Sequence, residues 1–267
     1  MTKGLVFDPT HPWDDCGKKD PDAHSARMRT YHQGLWSGRR LPGQSGRQLS
    51  LTPLDTGLVD SSLAPFFGLE EGLYLKSDRT LPTWSAWNNT AQLREDPALN
   101  RRIQAAYPVF DNMGGTVLWP GRKIAGGQSL NQARGFSQKW RIADRLDLTV
   151  ECIRLAYNGR CGSDVNPLGP ALTRYWPFFE LFGDFQGYID FWLLNDLLVE
   201  GKEQVRFFLE GTNPYDFTSD RPFPTTVAEY GRYLDNAQDF VLKRNERMSQ
   251  WWTAHRGEAP VDPSALT

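Results

Sequence analysis

Residues 110–135 read FDNMGGTVLWPGRKIAGGQSLNQARG. They set a carboxylate, Asp111, and the amides of Asn112, Asn131 and Gln132 beside Trp119, Arg134 and repeated glycines. Such a run makes a poor core element and a suitable wall for a polar pocket. A carboxylate can move a proton or face a developing cation. Amides suit a base edge or a sugar hydroxyl, and Trp119 offers a ring to stack on. Ser129 is placed to cap a short helix bearing Asn131, Gln132 and Arg134, and a helix N-terminus beside an arginine favours an anion. The spacing predicts one pocket for Asp111, Asn112, Trp119, Asn131, Gln132 and Arg134, with the glycines at 114, 115, 126 and 127 letting a ligand approach the backbone. The competing reading is that Asp111 and Asn112 only make the hydrogen bonds of a turn.

A second candidate catalytic carboxylate, Asp190, stands in the apolar stretch 184–200 with Asp184, Asn195 and Asp196. An unpaired carboxylate inside an apolar helix is costly. Asp184 follows Gly183 and reads as a cap, and Asp196 as the partner of an arginine. Asp190 is expected to be buried, as a catalytic group or in an ion pair with Arg134 or Arg145.

Charge is unevenly placed although the net charge of −2 argues against a general polyanion binder. Residues 122–160 are basic and 176–220 acidic, so the two regions either pair or leave a positive face. On the second reading Arg122, Lys123, Lys139, Arg141 and Arg145 contact nucleic-acid phosphates.

Dinucleotide, P-loop, nucleophile-elbow and HExxH motifs are all missing from the sequence. Four histidines lack ligand spacing, and Cys16, Cys152 and Cys161 suit neither a disulfide framework nor zinc. The expectation is a reaction without metal or cofactor. No stretch reaches the ~20 apolar residues of a membrane helix, and residues 1–15 lack the apolar core of a signal peptide. The reading is cytoplasmic, with no membrane partner.

The elements that must position these groups are mostly helical. A helix is expected around 20–36, capped by Asp22 or Ser25, with Met28, Tyr31 and Leu35 inward. A strand is expected in 72–84, and two strands joined at Met113-Gly114-Gly115 in 107–121. Helices follow over 144–157, over 166–201 with a break at Gly183 and a second half buried all round, and over 225–252 with a threonine cap; 204–211 reads as a further strand. The fold class is α+β, one mostly helical domain over 1–255 with a small antiparallel sheet or hairpin, and a disordered tail from 256 to 267.

The series FDNMGGT, NQARG, DRLDLTVECIR and RYWPFFELFGDFQGYIDFWLLNDL, preceded by KDPDAHSARMRTYHQGLWSG, resembles a widespread bacterial family of unknown function over about 15–240. It is also similar to phage-defence DNA glycosylases, which remove glucosylated hydroxymethylcytosine and leave an abasic site. That likeness implies a glycosylase acting on double-stranded DNA with modified bases, and carries over no catalytic residue by position. Two other classes stand beside it: an NAD-dependent ADP-ribosyltransferase using Glu151 or Glu180, and a non-enzymatic binding or immunity protein.

Overall fold

The computed structural model describes residues 6–17, 19–54, 57–60, 73–80, 95–121, 127–135, 142, 144–209 and 224–256. Within them the fold is α+β, mainly helical, with a small antiparallel sheet, as the patterning predicts. The strands β1 (Thr52–Leu54), β2 (Gly57–Asp60), β3 (Leu73–Arg79) and β4 (Thr116–Pro120) pair in that order. In the β3–β4 register Asp78 lies opposite Val117 and Arg79 opposite Thr116. Side chains alternate along a strand, so Asp78, Val117 and Trp119 share one face, and Arg79, Thr116 and Leu118 the other.

The helices form for local reasons that the sequence carries. In α1 (Pro21–His24) and α2 (Ala26–Trp36), Ser25 accepts the Met28 amide at 3.0 Å as the cap of α2, and Met28, Tyr31 and Leu35 are buried. The 30-residue helix α9 (Val227–Arg256) starts with a capping box: Glu229 accepts from the Thr226 amide at 3.1 Å while its own amide donates to Thr226 Oγ1 at 3.2 Å. One continuous core joins Trp13, the α2 stripe, the sheet and the inner face of α9. The N-terminal segment is tied over it by Trp13 N–H donating to Asp111 O at 2.9 Å and Met113 N–H donating to Pro9 O at 3.1 Å.

Three expectations are corrected. Residues 107–110 are not a strand but the last turn of α3 (Pro97–Phe110). Asp96 caps this helix, Pro97 suits its first turn, and Leu99, Ile103, Ala106 and Phe110 form a buried helical stripe that outweighs the β-like Tyr107–Phe110 composition. The helix buried almost all round is α5 (Leu146–Tyr157), not the segment after Gly183. Its carboxylates are neutralised by nearby arginines, so it only looks amphipathic. The third correction concerns 204–209, which has an isolated bridge between Val205 and Leu198 instead of a strand; 210–211 lie outside the described residues.

The chain from 166 to 201 does break at Gly183, whose φ of +80° suits glycine. Before it come α6 (Gly169–Arg174), α7 (Trp176–Phe179) and a tight turn at Glu180–Phe182; after it, α8 (Phe185–Phe191), capped by Asp184 through the Gly187 amide at 2.7 Å. The end of the chain, 257–267, lies outside the described residues.

Candidate functional site

The glycine turn between α3 and β4 packs against the long helix. Arg244, fully inside, donates from Nη1 to Gly114 O at 3.1 Å and Thr116 O at 2.7 Å, and from Nη2 to Trp192 O at 3.1 Å. Burial pulls its pKa down to about 9. Asn245 Oδ1 accepts from Gly114 N–H at 2.8 Å, and its Nδ2 donates to Asn112 Oδ1 at 3.2 Å. A Cβ on Gly114 would sit 2.5 Å from Val241 O, and one on Gly115 2.1 Å from Phe110 O. Gly114 therefore admits helix α9 and Gly115 the end of α3, not a ligand; a Cβ on Gly127 would meet the Arg174 guanidinium at 2.2 Å, and Gly126 lies outside the described residues.

Asn112 is likewise a structural amide, since its buried Oδ1 also accepts from Gly115 N–H at 3.2 Å. The turn reading holds for it, and it does not face a base. Asn112→Ala is expected to cost about 1–3 kcal/mol by stranding the Asn245 amide. Urea unfolding measures this, and an unchanged midpoint would return Asn112 to the list of substrate contacts.

Arg134 is the centre of a second internal lock. Ser129 caps α4 (Leu130–Arg134) in a capping box, which occupies the Gln132 side-chain oxygen with the Ser129 amide at 3.2 Å. Arg134, with no exposed surface, then donates to Thr149 Oγ1 at 2.9 Å, Asn131 Oδ1 at 3.2 Å, Asp144 O at 3.2 Å and the Asp78 carboxylate. Its guanidinium stacks 4.8 Å from the centre of the buried Trp119 ring. The predicted anion site is thus filled from within by Asp78, and Trp119 has no face for a base. Arg145 is also no phosphate contact: it is fully buried against Asp147. Arg122, Lys123, Lys139 and Arg141 lie outside the described residues.

Asp190 is exposed, contrary to expectation. It ends an (i, i+4) bond from Gln186 Nε2 at 2.9 Å and also accepts from Asn195, far from any pairing with Arg134 or Arg145. The 100° step of the helix turns it outward while Phe185, Tyr188 and Ile189 turn in. Asp190→Asn is expected to change stability by no more than about 0.5 kcal/mol and to leave any activity intact. A lost activity in a folded Asp190→Asn protein would reinstate it. Asp196 does pair with an arginine, Arg247, through two 3.0 Å bonds.

Asp111 remains as a candidate acid–base group. Its side chain keeps 26% of its surface exposed, at the C-terminal end of α3, and faces Arg79, itself 23% exposed, across 3.1 Å from Nε to Oδ1. That Oδ1 is enclosed and accepts no hydrogen bond among the described residues, so its contact with Arg79 is electrostatic. Partial burial raises the Asp111 pKa; Arg79 opposes the rise and Asp20 adds to it. The Trp13–Gly17 segment lies alongside, and its Cys16 thiol, pushed up by burial, senses both Asp111 and Arg79.

Asp111 and Arg134 do not share a pocket. Their partners, Arg79 and Asp78, are neighbours on β3 and point to opposite faces of the sheet. Sequence reasoning missed both partners. Adjacent opposite charges in a short strand, Lys76-Ser77-Asp78-Arg79, were the available signal, because alternation must send one to each face. Glu151, the candidate acid of a transferase, is fully buried and gripped by Arg154 Nε and Nη2 at 2.8 Å, out of reach of a substrate. Glu180 is exposed on its turn.

Among the described residues no group of three or more His, Cys, Asp or Glu side chains could hold a metal ion, and no helix is long and apolar enough to cross a membrane. The model of a family described as of unknown function, DUF6994, matches residues 7–248. No curated protein and no solved structure matches the chain.

Proposed function

The chain belongs to the DUF6994 family of unknown function, and from that premise we propose that it is a DNA glycosylase acting on a modified base, with Asp111 as its acid–base group. The observation that carries the reading is the Asp111–Arg79 pair: a carboxyl that keeps 26% of its surface exposed and has a raised pKa, with one enclosed oxygen held 3.1 Å from a guanidinium. A raised pKa brings a carboxyl nearer the range in which it can both take and return a proton.

The reaction needs little else from the protein. The C1′–N bond breaks with its electron pair leaving on the base, and positive charge grows on the sugar. Water adds to C1′, and its proton passes to the Asp111 carboxylate, which also faces the sugar's charge. Arg79 is positioned to meet negative charge on the departing base or an adjacent phosphate. The target nucleotide must leave the duplex to reach such a group.

The test is incubation of the protein with phage DNA whose cytosines are glucosylated and hydroxymethylated, beside unmodified DNA, followed by alkali. Strand breaks confined to modified DNA are expected. Intact strands in both samples would remove the reading.

A further inference from the structure

On a different part of the molecule, the end of α9 meets the loop after α2 around a cleft of about 440 Å³. Its lining is Gly38, Arg39, Arg40, Gln48, Trp251, His255 and Arg256, with three guanidiniums and no carboxylate. Among the described residues, none of the three arginines forms an ion pair with a carboxylate.

Arg39 is held rigidly. Its guanidinium lies 4.4 Å from the ring centre of Trp251, 4.9 Å from that of Phe191 and 5.2 Å from that of Trp36. Nη2 donates to Asp190 O at 3.3 Å, while Nη1 is enclosed without a partner. Burial and the like charge of Arg256 bring the Arg39 pKa down to about 10, with Asp190 opposing. Arg256 donates to Ser37 O and lies 5.9 Å from the Trp251 ring centre. The His255 ring stacks on Trp251 at 4.5 Å.

Gly38 shapes this corner. Its φ of +79° suits glycine, and a Cβ there would come 3.3 Å from Arg256 Nη2. Cations in the last turn also suit the negative end of the α9 dipole. That role needs neither Arg39 nor Arg40.

We propose that this cleft is a phosphate-binding site, taking a phosphoryl group between Arg39, Arg40 and Arg256. Guanidiniums bind phosphate oxygens with paired N–H groups, and an arginine pre-set by aromatic packing loses little freedom on binding. The ring of Trp251 is already covered by Arg39 and His255, so the site selects phosphate and not a base. Phosphate could arrive as a free polyphosphate or in a nucleic-acid backbone. The site does not depend on Asp111.

Calorimetric titration of the full chain with inorganic pyrophosphate at low salt tests this. Saturable binding is expected, weakened about tenfold or more by Arg40→Glu and by Arg256→Gln. Arg40 is exposed, so Arg40→Glu should keep the parent melting temperature. Adding a short unmodified DNA duplex separates the sources: displacement of pyrophosphate assigns the cleft to a DNA backbone, and failure to displace it assigns it to free phosphate compounds. Absence of saturable binding, or equal affinity in the parent and both variants, would overturn the proposal. Asp111→Asn should bind pyrophosphate like the parent, so a failure here and a failure of the glycosylase reading are read separately.

Discussion

Asp147→Ala is expected to lower stability by about 3–5 kcal/mol, the cost of leaving a buried charge without its partner. Both Arg145 and Asp147 are without exposed surface. Arg145 Nε donates to Asp147 Oδ1 at 3.0 Å, and Nη2 contacts the other oxygen. The same carboxylate accepts the Phe208 amide at 2.8 Å, so it also fixes the chain that crosses α5. Removing it takes the carboxylate away from a guanidinium that lies 5.6 Å from the Tyr233 ring centre, and leaves the Phe208 amide without its acceptor. A domain of this kind has only about 5–15 kcal/mol in hand. Urea unfolding measures the loss. The double change Arg145→Met with Asp147→Leu should recover much of it, because the pair's attraction does little more than offset its desolvation. A loss below about 1 kcal/mol for Asp147→Ala would show that water or another cation reaches the site.

The parts of the fold that depend on near neighbours were legible in the sequence. Ser25, Ser129, Asp184 and Thr226 cap helices because a short oxygen side chain precedes each helical pattern, and Gly183 breaks one because it takes positive φ. What failed was the assignment of charged groups to inside or outside. The carboxylates of α5 are paired with arginines two or three residues away, so a buried helix carried the polar marks of a surface one. Asp190 sat among aromatics and yet points outward, since α8 ends at Phe191 and buries only one side.

The pocket of residues 110–135 was misjudged for a tertiary reason. Nothing within that stretch tells that Arg244 and Asn245, some 130 residues on, would claim its carbonyls and amides. Nor does it tell that β3 would separate Asp111 from Arg134 by presenting Arg79 and Asp78 on opposite faces. Asp111 keeps 26% of its side chain exposed and its enclosed oxygen beside Arg79.

The second large effect concerns that carboxyl. Asp111→Asn keeps size and removes the proton acceptor, and is expected to slow base release by about 10²–10⁴-fold, the usual range for a general acid–base group. Because the folded pKa lies above the ordinary 3.8, the carboxylate is lost sooner on acidification than in a free aspartate. The acid limb of the rate should therefore have its midpoint above that value. The same shift has a stability consequence with a definite sign: the protonated form is favoured in the fold, so this group's contribution is full below 3.8 and declines as pH rises through the raised value. Asp111→Asn should remove that decline.

The most direct measurement is single-turnover release of the modified base from glucosylated hydroxymethylcytosine DNA, by the parent protein and by Asp111→Asn, with DNA binding measured on the same samples. The account predicts release by the parent, a fall of about 10²–10⁴-fold in the variant, and equal DNA affinity in both. Equal release rates in the parent and the variant would contradict it.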